Sequence, residues 1–410
     1  MLDWTIKRLD ELCSLRKEQV GADLVRDDKY VALEHVDSAR SSLTRWDTAP
    51  DVRSTKARFR KGDILYGKLR PYLDKAAIAP FDGVCSTELL PLVPITREVN
   101  PEFLAFLLHA PAFLAHAEAT TSGVNHPRTS WSAIASFEWP IPPIEEQSAI
   151  GSALKVAEMA IRTQERLAGT LSRLKAITMS TVFRDGLRGE RLKESDAGFI
   201  PETWDVVRLG DIAKIGNGST PNRSNAEYWR HGVFPWITST KVHDVFIRSG
   251  SELVSEVALR ECHLPVVPKG SLVVAITGQG KTLGNAALLE IDTTINQHLA
   301  YIQVQSEKAV PEFLLFWLQN QYDYFRQVSS GGGSTKGALT CGLISNLLVT
   351  LPSREEQEDV AELLLALTRR HQVATKKTNS LCALSAAMLR ELTSGTVLAT
   401  ALESAEVLNA

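Results

Sequence analysis

The chain has no uninterrupted apolar run approaching the roughly 18 residues that a membrane-spanning helix needs. Its first residues, Met1-Leu2-Asp3-Trp4, have neither the basic start nor the apolar centre of a signal peptide. Cysteine is sparse: Cys13, Cys85, Cys262, Cys341 and Cys382 stand apart, without Cys-x-x-Cys or Cys/His ligand spacing. Scattered thiols of this kind suit reduced core or surface positions and a cytoplasmic setting. Charge imbalance is also missing. A formal net charge of −3 creates no bulk field that would mark a nucleic-acid or membrane binder, although what matters is where Lys and Arg sit.

Catalytic signatures are absent too. There is no His-Glu-x-x-His, no Gly-x-Ser-x-Gly, and no Asp/Asn-Pro-Pro-Tyr/Phe motif of the kind that holds a base amino group during methyl transfer. The 9 histidines are spread singly. These absences suit a non-catalytic chain with no metal site. What is present is the composition of a soluble globular protein, 44% hydrophobic and 23% charged over 410 residues. That length calls for about two to three domains.

The strongest positive signal is a duplication. Pro142-Pro143-Ile144-Glu145-Glu146-Gln147 opens a helical pattern, and Pro352-Ser353-Arg354-Glu355-Glu356-Gln357 opens another. Pro142 and Pro352, Glu145 and Glu355, and Gln147 and Gln357 pair at one constant offset. Upstream, Trp4, Arg8 and Leu9 answer Trp204, Arg208 and Leu209, Lys61-Gly62-Asp63-Ile64-Leu65 answers Lys269-Gly270-Ser271-Leu272-Val273, and Pro101-Glu102-Phe103-Leu104 answers Pro311-Glu312-Phe313-Leu314. The offset grows in small steps, as loop insertions on a shared core would make it do.

Each copy is a mixed segment followed by a long helix. Gly270 to Thr277 and Leu299 to Val304 read as buried strands, and Pro101 to His109 and Pro311 to Asn320 as short helices with Pro in the first turn. In the first long helix Ile150, Leu154, Ile161 and Leu171 fall on one stripe. Val360, Leu364, Leu367 and Leu381 do so in the second. Ser353 with Glu356 is a capping-box signature, and Gly186 and Gly395 suit helix stops. About 38 residues at ~1.5 Å each make rods of roughly 55 Å, longer than a domain is wide, so each apolar seam calls for the other helix as partner.

The expected organisation is α+β. Two globular domains in tandem repeat, 1–141 and 201–351, are each followed by a long spacer helix, 142–186 and 352–398, and the two helices pair as a coiled coil. Residues 187–200 read as a linker and 399–410 as a flexible tail.

Polar loops in each copy carry the donors that nucleic acid requires. In the first these are Arg53, Lys56, Arg58 and Arg60, then Lys68 and Arg70, with Asn125 and Arg128 in the loop from Thr121. In the second they are Thr220, Arg223, Trp229, Arg230 and Lys241, with Gln279, Lys281, Ser334 and Lys336 further on. One stretch admits another reading. Gly278-Gln279-Gly280-Lys281-Thr282 follows a strand and ends like a phosphate-binding loop, which would make the chain a nucleotide-binding protein dimerising through its coiled coil. Against this, Ala275 stands where the first loop glycine belongs, and Gly284 and Asn285 start a helix poorly. A scaffold without any nucleic-acid role is a third reading.

The doubled order of Trp-x-x-x-Arg-Leu, Lys-Gly, Pro-Glu-Phe-Leu and Pro-x-x-Glu-Glu-Gln before a long helix resembles the specificity subunit of Type I restriction–modification systems, over nearly the whole chain. The resemblance implies two target-recognition domains, each reading one half of a split site on double-stranded DNA, and an antiparallel coiled coil that spaces them. It implies docking of two methyltransferase subunits that modify adenine N6, and of restriction (translocase/endonuclease) subunits. On this reading no cofactor is bound by this chain, and S-adenosylmethionine, ATP and Mg belong to the partners. Two copies of one frame suit two identical partners, and loops that differ suit an asymmetric site.

Rods of roughly 55 Å exceed the ~34–36 Å helical repeat of DNA, which makes the helices long enough to set half-site spacing. Deleting one heptad from both long helices should change the gap between the half-sites and leave the half-sites themselves unchanged. A map of modified adenines, with an unaltered gap at full activity, would count against a ruler role.

Overall fold

The computed structural model describes residues 4–21, 28–48, 55–278, 280–330 and 338–399. The chain divides into two compact units, Met1–Arg166 with Ala374–Ala410, and Leu167–Val373. Each unit therefore holds one globular segment, the start of the long helix that follows it, and the end of the other long helix.

In the first unit, strand Thr5–Arg8 pairs antiparallel with Glu138–Ile141, with Thr5 opposite Ile141. A four-stranded sheet follows in the order Cys13–Leu15, Leu89–Pro94, Ile64–Gly67, Ala76–Ile78. A second sheet runs Gln19–Val20, Lys56–Phe59, Gly83–Cys85, Lys29–Val31, Asp47–Thr48. Helix Pro101–Leu107 starts where Asn100 accepts hydrogen bonds from the Glu102 and Phe103 N–H groups at 2.9 and 3.1 Å, with Pro101 needing no donor partner. It buries Phe103, Leu104 and Leu107 against Leu9, Ile64, Phe113 and Trp139.

The second unit repeats this plan. Asp205–Arg208 pairs antiparallel with Leu348–Leu351, and Asp205 lies opposite Leu351. The main sheet runs Ala213–Asn217, Leu299–Val304, Leu272–Ala275, Ala286–Leu289, Phe246–Ile247. A smaller sheet runs Glu252–Val254, Phe234–Ile237, Thr294–Ile295. Helix Pro311–Asn320 buries Phe313, Leu314 and Trp317 beside Trp204. Within the segment read as a linker, Leu192–Ser195 and Gly198–Pro201 form a hairpin. Residues 400–410 of the expected tail lie outside the described residues.

The long helices span Ile144–Asp185 and Arg354–Thr393. In the first unit Ile150 and Leu154 share a core with Met388, Leu389 and Leu392. In the second, Met179, Val182 and Phe183 share one with Val360, Ala361 and Leu364. The start of each helix thus meets the end of the other, which is antiparallel pairing. Of the seam residues, Ile150, Leu154, Ile161, Leu171, Val360, Leu364 and Leu367 are buried and Leu381 is half-buried. Gly186, at φ +70, turns the chain out of the first helix in a left-handed conformation that favours glycine.

Both helix starts are anchored by the same buried polar side chains. The Gln147 amide oxygen accepts from the Asn100 N–H at 2.8 Å, and its NH2 donates to the Pro142 carbonyl at 2.9 Å. The Gln357 amide oxygen accepts from the Val310 N–H at 2.9 Å, and its NH2 donates to the Lys308 and Pro352 carbonyls at 2.8 and 3.0 Å. The neighbouring glutamates catch the chain leaving the opposite helix. Glu356 accepts from the Leu187 N–H at 3.0 Å, and Glu146 from the Ala399 N–H. The Glu356 N–H donates to Ser353 Oγ at 3.3 Å, but the Glu356 carboxylate is turned to Leu187, so it serves tertiary structure in place of the reciprocal half of a capping box.

The first unit also buries the carboxylate of Glu158, further along its long helix. Glu158 accepts from the Ser41 N–H and Oγ at 2.9 and 2.7 Å and from the Ser42 N–H and Arg162 Nε at 3.2 and 3.0 Å. Burial alone would raise its carboxyl, but these donors outweigh it and hold the group below the usual glutamate value.

Replacing Gln357 by Ala strands a buried N–H and two carbonyls at a site that is 0% exposed. We expect a loss of about 2–4 kcal/mol in denaturant-induced unfolding, at ~1–3 kcal/mol per buried unpaired group with partial relaxation. Gln357→Glu, which when protonated keeps the acceptor and one of the two donors, should fall between wild type and alanine at acid pH. A cost below 0.5 kcal/mol (roughly that of a neutral surface change) would remove the anchor's structural role.

Candidate nucleic-acid interface

The first unit carries a cleft of about 580 Å³ where its two sheets meet. Lys17, Gln19, Thr55, Lys68 and Thr87 line it over an apolar floor that includes Leu15 and Leu89. Lys17 and Gln19 follow the strand Cys13–Leu15, and Lys68 follows Ile64–Gly67; both strands run antiparallel to Leu89–Pro94 between them, so both cations leave the sheet at one end. Arg16 also reaches the cleft, but Asp63 grips its guanidinium in a fork, Nε to Oδ2 at 2.6 Å and Nη2 to Oδ1 at 2.8 Å.

The basic run from Arg53 is less available than its composition suggests. Arg53 itself lies outside the described residues. Lys56 is buried at 6% exposure, its ammonium 5.6 Å from the centre of the Tyr30 ring, and it lines the same cleft, so it is not the exposed cation that the basic run suggests. Lys56 and Phe59 are the buried ends of a short strand whose middle residues Ala57 and Arg58 are half-buried. Arg58 is paired with Glu18 at 3.6 Å and Asp28 at 3.5 Å, and Arg60 with Glu18 at 3.6 Å. Arg70 adopts a left-handed conformation at φ 50, and its buried Nε has no hydrogen-bond partner. Its N–H donates to the Pro127 carbonyl at 2.7 Å and so ties down the loop of Asn125 and Arg128. Asn125 is exposed in that loop, which closes through reciprocal 2.9 Å bonds between Ser122 and Arg128. The Arg128 side chain meets Glu88 at 3.0 Å, and that carboxylate raises the guanidinium above its usual value.

In the second unit the aromatic loop is built around Arg223. Its guanidinium stacks 3.9 Å from the Trp229 ring centre and 4.9 Å from Trp236, and it pairs with Glu252 at 2.6 Å. Trp229 Nε1 donates to the Asn222 carbonyl at 3.1 Å. Arg223 and Trp229 thus hold the loop together, and Arg230 at its end is exposed. Lys241 donates to Asp244 and Ser249, both at 3.3 Å. Thr220 donates to Gln297 Oε1 at 2.5 Å.

Lys281 is exposed, and its carbonyl accepts from Tyr322 Oη at 3.2 Å. Lys281 and Thr282 lie in the connection between the antiparallel strands Leu272–Ala275 and Ala286–Leu289. No helix follows Thr282 to supply the N–H groups that a phosphate-binding loop uses, and this overturns the nucleotide-binding alternative. Gln279, Ser334 and Lys336 lie outside the described residues. Lys17, Gln19, Thr87, Gln297 and His298 escaped the reading of the sequence. The polar triplet Asn296-Gln297-His298, set between apolar residues, was the available signal for the last two. Among the described residues no helix is long and apolar enough to cross a membrane.

Comparison with known proteins agrees with this doubled plan. A family model described as the Type I restriction modification DNA specificity domain matches twice, at residues 1–168 and 201–382. The MjaIX specificity subunit of a Type I restriction enzyme from Methanocaldococcus jannaschii is 33% identical over 177 residues, 42% of this chain and 39% of that relative. The putative MjaX specificity subunit of the same organism is 23% identical over 383 residues, 89% of this chain and 87% of the relative. The crystal structure of a Type I restriction–modification S subunit from M. genitalium superposes with a TM-score of 0.67 at 16% identity, covering 96% of each chain.

Proposed function

The chain belongs to the family of Type I restriction–modification DNA specificity proteins, and on that footing we propose that it is the non-catalytic subunit that chooses the DNA site for a methyltransferase and its restriction partners. Each globular segment reads one half of a bipartite, asymmetric sequence on double-stranded DNA. The observation that carries this reading is the repetition itself. The pairing of first with last strand, the order of four strands in the main sheet and the glutamine anchor correspond in both units, while the polar side chains at the candidate interface differ.

A repeated frame offers two equivalent docking surfaces, suited to two identical methyltransferase subunits, and different reading surfaces give two different half-sites. The reaction chemistry then lies with the partners. S-adenosylmethionine serves adenine N6 methylation on the methyltransferase, and ATP with Mg serves the restriction subunits. This chain supplies position and choice. Lys17 and Lys68 in the cleft suit phosphate contact, since a mobile ammonium meets a phosphate oxygen without demanding a fixed geometry.

Modified adenines mapped in DNA from cells expressing this chain with its methyltransferase should fall in a split motif. Exchange of residues 1–140 for another recognition domain should rewrite one half only. A continuous motif, or a change in both halves, would overturn the proposal. In binding assays with the assembled methyltransferase, Lys17→Ala combined with Lys68→Ala should weaken binding to all duplexes alike and reduce the salt slope by about 2. Arg223→Ala should leave that slope unchanged, because its charge is already taken by Glu252.

A further inference from the structure

The two units contain one turn that is the same in backbone and different in chemistry. In the first it is Ser86-Thr87-Glu88, between strands Gly83–Cys85 and Leu89–Pro94. In the second it is Asn296-Gln297-His298, between Thr294–Ile295 and Leu299–Val304. The Ser86 N–H donates to the Val31 carbonyl at 2.9 Å, and the Asn296 N–H to the Ile237 carbonyl at 3.1 Å. Leu89 N–H donates back to the Ser86 carbonyl at 3.1 Å, and Leu299 N–H to the Asn296 carbonyl at 3.2 Å. The side chain of the first residue caps the third in both: Ser86 Oγ accepts from the Glu88 N–H at 3.3 Å, and Asn296 Oδ1 from the His298 N–H at 3.1 Å. These three bonds fix each turn, and they correspond one for one in kind.

The next two side chains do not correspond. Thr87 lines the cleft with Lys17 and Lys68, and Glu88 beside it pairs with Arg128 at 3.0 Å. At the same positions Gln297 and His298 are exposed. Gln297 accepts from Thr220, and His298 Nδ1 shares a hydrogen bond with Thr277 Oγ1 at 2.5 Å. A Gln amide offers the donor–acceptor pair that matches adenine N6 and N7, whereas an Arg–Glu pair offers a guanidinium for guanine O6 and N7 and a carboxylate for cytosine N4. A structural turn has no need of such different groups on so similar a backbone. A reading position does.

We propose that this turn is a specificity-determining element: Thr87 and Glu88, with Arg128, read bases in one half-site, and Gln297 and His298 read them in the other. The proposal rests on the recognition role put forward above. It assigns base reading to a two-residue tip in each half, held by a rigid turn, where phosphate contacts from Lys17 and Lys68 position the duplex.

Grafting the first turn onto the second tests it. The chain carrying Asn296→Ser, Gln297→Thr and His298→Glu keeps a capping side chain at the first position, as Ser86 does in the first unit. It is expressed with its methyltransferase, and modified adenines are mapped beside wild type. The expected result is a change at one or more base positions in the half-site read by residues 201–351, with the other half-site and the gap unchanged. If the graft methylates no motif, the purified complex selects duplexes from a randomised pool, and the selected sequence is read in the same way. An unchanged half-site in either readout overturns the proposal, as does a variant that methylates the wild-type motif at a lower rate only. Should wild type itself give no split motif, the recognition role falls first, and the two failures are told apart by that control. A melting midpoint within about 3 °C of wild type shows that the turn still folds, since a ~1 kcal/mol loss moves a domain this size by about 2–4 °C.

Discussion

A buried amide needs all its partners, and this requirement governs the head of each long helix. Gln147 and Gln357 are almost fully enclosed, and each spans the gap between its helix start and the loop that leads into the Pro-Glu-Phe-Leu helix. Unmade bonds there would cost ~1–3 kcal/mol apiece, so the angle between helix and domain has little freedom. The adjacent Glu146 and Glu356 extend the constraint to the exit of the opposite helix. Antiparallel pairing is therefore specified by polar atoms at the helix starts as well as by the apolar seam. An apolar seam alone tolerates slippage, and a buried carboxylate that must find one particular N–H does not.

Charge in the globular segments follows a second economy. Many of the cations that look free in the sequence are committed to carboxylates: Arg16 to Asp63, Arg58 and Arg60 to Glu18, Arg128 to Glu88, Arg223 to Glu252. Apart from Arg16–Asp63, which is largely buried, ion pairs this exposed stabilise little. Their effect is on orientation, because a guanidinium in a fork cannot wander. Of the lysines that line the cleft, Lys17 and Lys68, less buried than Lys56, differ in keeping the flexible reach that a phosphate backbone needs. On the proposed reading, positioning and reading fall to different kinds of group, which would let one frame serve two unlike half-sites.

The duplication, the α+β segments, the strands Leu272–Ala275 and Leu299–Val304, and both long helices were legible because they rest on periodicity and on landmark residues repeated in order. The candidate interface was less so. Lys56 looked like one member of an exposed basic run, but it is buried beside Tyr30 in the wall of the cleft. Arg223 and Trp229 looked like ligand contacts, but Glu252 and Trp236, distant in sequence, turn them into the loop's own packing. Gly280-Lys281-Thr282 looked like a phosphate loop until the following strand Ala286–Leu289 showed that no helix begins there.

The sequence by itself determined the repeat, the helices with their apolar stripes, and the family, since these depend on local spacing and on order along the chain. Only the tertiary structure decided which cations are spent on internal pairs, which turn is built identically in both units, and that Gln147 and Gln357 are anchors. The reason is physical. A hydrogen bond or an ion pair is completed by a partner tens of residues away, and a single sequence carries no record of which partner folding will bring within 3 Å (the usual hydrogen-bond reach, about 2.7–3.2 Å).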